Sequence, residues 1–169
     1  MEIELKLLLA PEDAPRLRTH PLLAQYASGQ PQLLQMHDIY VDTPDLQLCR
    51  HQAGLRVRQV DGRWVQTLKA GGTVSGGLHI RHEWEGEVPG PAPDLDALDS
   101  AIGRKQPVGA LLRQQAVRDG LQAVFTTRME RTVWQLRTPQ GDEIECVLDQ
   151  GVIESGGSDA DGTARSVPV

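Results

Sequence analysis

The chain opens on an alternation of charged and aliphatic residues, Glu2-Ile3-Glu4-Leu5-Lys6, and residues 7–9 add three leucines. Successive side chains of a β-strand point to opposite faces, so this stretch predicts a strand with Glu2, Glu4 and Lys6 on one face. The three leucines would lengthen the strand. An ordinary half-buried strand whose polar face meets solvent shows the same alternation. The first strand alone therefore does not decide whether its charged face simply meets solvent or has a function.

The same charged alternation recurs in four later segments, among them the run Leu55-Arg56-Val57-Arg58. An Asp61-Gly62 hairpin signal follows that run. One face taken from each strand carries six cations, Lys6, Arg56, Arg58, Lys69, Arg81 and Arg131. It also carries six carboxylates, Glu2, Glu4, Glu83, Glu85, Glu145 and Asp149.

These two sets of side chains fit an anionic ligand and a metal ion. Guanidinium groups bind phosphate oxygens bidentately, and carboxylates bind hard cations such as Mg²⁺ and Mn²⁺. Buried charge is costly unless it is paired, so each set needs the other inside a barrel. An open sheet with a charged solvent face and an apolar core face explains the alternation equally well, but it does not explain why the charge signs cluster by strand.

The rest of the chain predicts an α+β protein with a mostly antiparallel sheet. Helices are predicted in residues 11–26 with a break near Pro21, as about one turn in residues 46–52, and in residues 95–120 as two helices split around Pro107. Further strands are predicted over residues 32–41, 55–60, 63–69, 78–88, 121–137 and 143–149, with a short piece near Val152. Residues 71–77 are glycine-rich and predict a loop between two strands.

Length and composition narrow the class of protein. A chain of 169 residues predicts one domain over residues 1–169, and the net charge of −6 argues against nucleic acid as a partner. No apolar run is long enough for a membrane span, and the charged stretch directly after Met1 leaves no room for a signal peptide. Cys49 and Cys146 form no disulfide framework or metal motif, so we expect a cytoplasmic protein.

Seven short motifs follow one another along nearly the whole chain. They are Glu2-x-Glu4-x-Lys6, Tyr40-Val41-Asp42-Thr43-Pro44, Leu55-Arg56-Val57-Arg58, Thr67-Leu68-Lys69, Arg81-x-Glu83, Arg131 and Glu145-Cys146-Val147-Leu148-Asp149-Gln150-Gly151. Each is weak alone. In this order and at this spacing they resemble the CYTH domain of the triphosphate tunnel metalloenzymes, and most closely its bacterial inorganic triphosphatase branch.

The resemblance implies a closed or nearly closed β-barrel of eight antiparallel strands, with helices packed outside and triphosphate bound within. The implied substrate-binding residues are Lys6, Arg56, Arg58, Lys69, Arg81 and Arg131. The implied catalytic residues are Glu4, Lys6 and Glu83. The implied ligands of Mg²⁺ or Mn²⁺ are Glu2, Glu4, Glu85, Glu145 and Asp149, although Glu85 and Asp149 could instead be structural partners of arginines.

The implied activity is metal-dependent hydrolysis of inorganic tripolyphosphate. A nucleoside or thiamine triphosphatase, a class IV adenylate cyclase and a non-catalytic polyphosphate- or nucleotide-binding module are the alternatives. The chain departs from the family in one respect, because it stops at Ser166-Val167-Pro168-Val169, about where a last strand with a Glu-x-Glu pair would begin. We therefore expect weak metal binding and activity, a homodimer through an open sheet edge, and a longer protein with a C-terminal CHAD domain.

Overall fold

The computed structural model describes the backbone of residues 2–103, 106–158 and 164–168, and all side chains in these ranges except those of residues 2, 3, 74, 79, 156–158 and 164–168. The strands are β1 (Glu2–Leu5), β2 (Gln32–Asp42), β3 (Ala53–Val60), β4 (Arg63–Ser75), β5 (Leu78–Val88), β6 (Gln122–Arg137), β7 (Glu143–Ser158) and β8 (Ala164–Pro168). The helices are α1 (Ala14–Arg18), α2 (Pro21–Tyr26), α3 (Gln47–Arg50), α4 (Leu95–Ile102), α5 (Pro107–Leu112) and α6 (Gln115–Gly120), with a 3-10 turn at Pro11–Asp13.

All eight strands belong to one antiparallel sheet in the order β1-β5-β4-β3-β2-β6-β7-β8. The predicted α+β class with an antiparallel sheet is therefore confirmed. β1 and β8 stand at the two ends of the order, and no pairing joins them within the described residues. The sheet is thus open in this structure, and closure into a barrel stays a prediction.

Two tight turns connect the central strands. Asp61 and Gly62 join β3 to β4 with φ angles of 50° and 75°, which is the backbone that a two-residue hairpin with a type I′ turn requires. Gly76 and Gly77 join β4 to β5 in the same way, with φ angles of 55° and 85°. The predicted hairpin is confirmed, and the central sheet is built from neighbours in sequence.

Most of the predicted glycine-rich loop is strand. Gly71 lies inside β4, and a register shift between Ala70 and Thr73 marks a β-bulge there. The prediction of a loop over residues 71–77 was wrong because glycine signals a bulge as well as a turn. Only Gly76 and Gly77 form the connection.

Helices cover one face of the sheet. Leu55 of β3 and Leu68 of β4 are fully buried against α3 and the helices α4–α6. A second cluster places Trp134 of β6 and Leu148 of β7 under α1 and α2. The side chain of Gln66 donates to the carbonyl oxygen of Asp94 (3.2 Å) and accepts from its N–H (2.8 Å), which fixes the start of α4 on the sheet. This apolar face is hereafter the helix-covered face.

Three predicted boundaries were wrong. The segment 95–120 forms three helices, because the backbone at Gln114 is extended (ψ 122°) although no proline or glycine marks the break. β7 runs through Gly151 to Ser158, although the sequence predicted a strand over residues 143–149 and a separate short piece near Val152. A Cβ atom on Gly151 would lie 2.0 Å from the carbonyl oxygen of Arg128, so glycine here allows close strand approach. β1 ends at Leu5, and Leu8 beyond it is fully exposed.

The chain has a last strand after β7. β8 pairs with β7, but its sequence Ala-Arg-Ser-Val-Pro carries no Glu-x-Glu pair. Among the described helices, none has the length and apolar character needed to cross a bilayer.

Candidate active site

The strand registers bring the predicted site residues to one face. Glu2 lies opposite Arg81, and Lys69 lies opposite Glu83. On the other half of the sheet, Arg131 lies opposite Asp149. Opposed residues of an antiparallel pair share a face. This face, called the charged face, carries Glu2, Glu4, Asp38, Arg56, Arg58, Lys69, Arg81, Glu83, Glu85, Arg131, Glu145 and Asp149.

The centre of the charged face is sheltered although both apolar helix clusters lie on the opposite face, whereas Glu85, Glu145 and Asp149 are exposed. The Asp38 side chain is only 2% exposed, and the Arg58 side chain 14%. Lys69 and Glu83 are about one-fifth exposed. These sheltered charges lie in a setting where each interaction is stronger than in bulk water.

Asp38 is the centre of the most buried charge cluster. Its Oδ1 accepts from Arg58 Nε at 2.6 Å, and its Oδ2 accepts from Arg58 Nη2 at 2.7 Å. Arg56 Nη1 lies 3.5 Å from Oδ2. The buried Nε of Arg56 has no hydrogen-bond partner in the part of the chain that the structure describes. One carboxylate therefore holds two arginines, and one of them keeps an unused donor.

Asp38 is a site residue that the sequence analysis missed. It is the only acid within residues 32–41 and follows Met36 at a spacing of two. That spacing was the available signal, since residues two apart on a strand share a face and Asp38 therefore lies on the same face as Met36. Its partner Arg58 becomes evident only from the register between β2 and β3.

The pairings around β4 and β5 are looser. Lys69 Nζ lies 3.6 Å from Glu83 Oε2, and Thr67 donates its hydroxyl to Glu85 Oε2 at 3.3 Å. At the edge of the sheet, Lys6 Nζ lies 3.4 Å from Glu4 Oε2. Lys6 follows β1, and its backbone N–H donates to the carbonyl oxygen of Gly77 at 2.9 Å.

Arg131 and Asp149 form a bidentate pair on the far half of the sheet. Both guanidinium–carboxylate distances, from Nε and Nη2, are 2.7 Å. This hydrogen bonding is the largest cause of a raised pKa of Arg131, and the charges of Asp149, Glu145 and Asp38 act in the same direction. Asp149 is thus an arginine partner in this structure, which was the alternative role considered for it. Glu145 accepts from Gln135 at 2.8 Å.

The predicted metal ligands fit Mg²⁺ or Mn²⁺ in donor type, since both ions prefer carboxylate oxygens. The described side chains include no group of three or more His, Cys, Asp or Glu residues arranged to hold a metal. Glu4 is paired with a lysine and Glu85 with a hydroxyl. The side chain of Glu2 lies outside the described residues. The metal site therefore stays a prediction with suitable donors.

Two clefts lie away from the predicted site residues. One of about 300 Å³ lies at the β3–β4 turn and is lined by Met36, Asp61 and Arg128 among others. The other, of about 440 Å³, lies between α1, α2 and Trp134. The predicted cations line neither of these two clefts.

An aromatic pair extends the charged face beside Arg56. The rings of Tyr40 and Phe125 stack with centroids 4.3 Å apart and an interplanar angle of 15°. Tyr40 lies opposite Arg56 on one side and opposite Phe125 on the other. Phe125 is the second residue that the sequence analysis missed. No sequence signal could have found it, because the contact depends on the β2–β6 register.

The Asp42 side chain has a structural task within the Tyr40–Pro44 motif. It accepts backbone N–H groups of Thr43 (2.7 Å), Leu48 (2.9 Å) and Cys49 (3.0 Å). Asp42 thereby fixes the turn from β2 into α3 and contacts none of the cations on the charged face. The motif thus marks a folded turn next to the site.

Known proteins resemble this chain over most of its length. The family model of the CYTH domain matches residues 1–160. An inorganic triphosphatase of Haemophilus influenzae is 34% identical over 160 residues, which are 92% of this chain and 41% of that protein. The chain therefore spans about two-fifths of the length of that curated relative.

Solved structures also resemble it. A putative adenylyl cyclase from Hippeastrum, reported to have a dominant triphosphatase activity, gives a TM-score of 0.57 at 22% identity, over 92% of this chain and 73% of that one. A putative adenylate cyclase from Bacillus halodurans gives a TM-score of 0.45 at 20% identity, over 93% and 77%.

The fold and its site define an α+β protein whose antiparallel sheet carries paired arginines and carboxylates on the face that helices leave uncovered. The chain belongs to the CYTH domain family.

Proposed function

We propose that this chain hydrolyses inorganic tripolyphosphate with Mg²⁺ or Mn²⁺ bound. The observation that carries the proposal is the gathering of five cations, Arg56, Arg58, Lys69, Arg81 and Arg131, on one sheltered face. The similarity to an inorganic triphosphatase supports the choice of substrate. Because a polyphosphate has no base or sugar to recognise, charge and position are all that the site must supply.

In this proposal Lys6, Arg56, Arg58, Lys69, Arg81 and Arg131 bind the phosphate oxygens. Arg56 is suited to this role because its guanidinium group lies on the charged face beside Arg58 and its side chain is 18% exposed. Guanidinium donors bind two oxygens at once and fix the phosphate chain in one orientation. Fixed positive charge stabilises the negative charge that spreads over the transferred phosphoryl group in the transition state.

Carboxylates orient the reacting water. Glu2, Glu4, Glu85 and Glu145 would hold the metal ion, which supplies charge neutralisation at phosphate oxygens, and Asp149 would hold Arg131 in place. Glu83 lies 3.6 Å from Lys69, which places its carboxylate beside a phosphate-binding cation. Glu83 would accept a proton from the attacking water, and Lys6 and Glu4 would complete the site from the edge strand. Positioning of this kind supplies most of the rate in phosphoryl transfer.

A triphosphate that carries a ring is the second candidate substrate, as in a nucleoside or thiamine triphosphatase or a class IV adenylate cyclase. The stacked pair of Tyr40 and Phe125 favours it, because an aromatic surface next to Arg56 could bind a base or thiazole ring. Binding without turnover, as in a polyphosphate- or nucleotide-binding module, uses the same cations and differs only in the absence of hydrolysis.

Phosphate release from tripolyphosphate, with Mg²⁺ or Mn²⁺ and with neither, tests the proposal. Glu4→Ala and Glu83→Gln should lose turnover. Glu87→Ala is the matched control, since Glu87 lies on the same face of β5 but is 70% exposed and pairs with exposed Arg63. It should keep full activity.

The outcomes separate the candidates. Faster turnover of ATP or thiamine triphosphate than of tripolyphosphate would favour the second candidate. If no substrate is hydrolysed but tripolyphosphate raises the melting temperature, the chain is a binding module. If there is neither turnover nor stabilisation, the proposal is wrong. A homodimer through the open sheet edges, a C-terminal CHAD domain and location in the cytoplasm stay predictions.

A further inference from the structure

We infer that Asp38 is a positioning residue, which holds the guanidinium groups of Arg58 and Arg56 in the orientation that receives phosphate oxygens. The inference rests on the proposed function, because it gives the two arginines a ligand. Asp38 itself would not touch the substrate. It is the carboxylate nearest to both arginines in the described structure and its side chain is almost fully buried.

The bidentate contact fixes the plane of the Arg58 side chain. A guanidinium group has five N–H donors, of which Asp38 uses one on Nε and one on Nη2. Both hydrogens of Nη1 and the second hydrogen of Nη2 remain for other partners. A free arginine side chain loses rotamer entropy on binding, and a fixed one has already lost it. Asp38 therefore prepares Arg58 before the ligand arrives.

The charge of the cluster suits an anion. Asp38 carries one negative charge and faces two positive ones, Arg58 at 2.6 Å and Arg56 at 3.5 Å. The pairing satisfies the buried carboxylate and still leaves one positive charge over. A carboxylate that neutralised the site completely would oppose phosphate binding, whereas this arrangement combines fixed geometry with net attraction.

A role in stability alone is the competing explanation, and Asp42 provides the comparison. Asp42 is also buried, at 5% exposure, but it binds backbone N–H groups of the β2–α3 turn. Asp42→Asn should therefore destabilise the fold and leave ligand affinity unchanged. If Asp38 acts through the arginines, Asp38→Asn must weaken ligand binding as well as the fold.

The experiment measures the dissociation constant of tripolyphosphate by calorimetry without metal, and kcat and KM for phosphate release with Mg²⁺. All measurements are made at a temperature where circular dichroism shows each variant folded. In Asp38→Asn we expect the dissociation constant to rise about tenfold or more, since an oriented charge-assisted hydrogen bond is lost. We expect kcat/KM to fall by about 100-fold because the phosphate chain is misplaced. Asp42→Asn should keep the native dissociation constant.

Two further variants keep the inference falsifiable. Asp38→Glu retains the charge, so it should fold even where Asp38→Asn does not, but its carboxylate is displaced by one methylene and affinity should still fall. In an Arg56→Ala, Arg58→Ala background, Asp38→Asn should cost little additional affinity, because both residues through which it acts are absent. Native affinity in both Asp38 variants, or full additivity with the Arg56→Ala, Arg58→Ala pair, would overturn the inference.

The results also separate this inference from the proposed function. If the wild type binds tripolyphosphate without hydrolysing it and Asp38→Asn loses the binding, Asp38 is a positioning residue in a binding module. If the wild type hydrolyses tripolyphosphate and Asp38→Asn matches it in every constant, the function stands and the inference fails. If the wild type does not bind tripolyphosphate at all, both fail.

Discussion

A methyl group added at Gly72 should disrupt the sheet beside Arg81. Gly72 lies in the β4 bulge with a φ of 90°, and a Cβ atom there would lie 1.8 Å from the carbonyl oxygen of Ile80 and 2.9 Å from the Cα of Arg81. Both are backbone atoms, so no side-chain rotation relieves the overlap. Gly71 also has a positive φ, 62°, but its Cβ position has no neighbour within 4 Å. Gly71→Ala is therefore the matched control.

The cost of Gly72→Ala has two parts. A non-glycine residue at this φ costs about 1–3 kcal/mol. Relief of the overlap must separate β4 from β5 beyond the bulge, where three residue pairs from Thr73–Ile80 to Ser75–Leu78 hold the strands together. At about 1 kcal/mol per hydrogen bond, the free energy of unfolding should fall by about 4 kcal/mol in total, or roughly 10 °C in melting temperature. Gly71→Ala should cost about 1 kcal/mol.

Urea unfolding followed by tryptophan fluorescence measures the stability difference. Phosphate release measures the effect on the site. The segment of β5 that Gly72→Ala displaces carries Arg81, and it pairs with β1, the strand that contains Glu4. We expect Gly72→Ala to lose most activity and Gly71→Ala to keep it. Equal stability losses in the two variants would refute the close approach at Gly72. Full activity in Gly72→Ala would refute the link between the bulge and the site.

Three further predictions concern the rest of the molecule. Leu68→Ala should lower the free energy of unfolding by about 2–5 kcal/mol, since Leu68 is fully buried. Leu33→Ala should change it little, because Leu33 is 60% exposed. Equal losses of stability in the two variants would contradict the burial of Leu68. Asp94→Ala removes the side chain that accepts two N–H groups at the start of α4 and should cost about 1 kcal/mol in chemical unfolding, with no loss arguing against the cap. Alkylation at pH 8 should label exposed Cys49 before Cys146, because burial raises the pKa of the Cys146 thiol and only thiolate reacts. Labelling of Cys146 should become faster at higher pH. Labelling of Cys146 before Cys49 would contradict the burial of Cys146.

The sheet was predictable where local patterns determine it. Asp61-Gly62 identified the central hairpin because few residues accept the φ angles of that turn. Alternation in β1 and β3 assigned Glu4, Arg56 and Arg58 to one face, since side-chain direction follows from strand geometry alone. The break at Gln114 was not predictable, because packing of α5 and α6 on the sheet produces it without any local signal.

Glycine was ambiguous for a physical reason. It permits a turn through positive φ, as at Gly62, and close strand approach through the missing Cβ, as at Gly151. The sequence does not separate these two uses. The strand predicted over residues 143–149 therefore stopped short of Gly151, whereas β7 continues through it to Ser158.

The sequence predicted which cations belong to the site, but it did not predict which carboxylates pair with them. Arg58 and Arg131 were assigned from strand position, but their partners Asp38 and Asp149 depend on the register with β2 and β7. A register is a long-range property, because it is set by turns and core packing outside the paired segments. For the same reason the stack on Tyr40 had no signature in the sequence.

The position of β1 in the strand order has a consequence for how the chain folds. β2 to β5 contain local hairpins, which form quickly because little loop entropy is lost. Among the described strands β1 pairs with β5 alone, so β1 waits for a partner that follows β2, β3 and β4 in the chain. Glu4 therefore reaches its place late in folding, whereas the arginines of β3 are set early. Nascent chains that lack β5 should therefore already bind anions through Arg56 and Arg58. Catalysis, which also needs Glu4, should begin only when β5 is present.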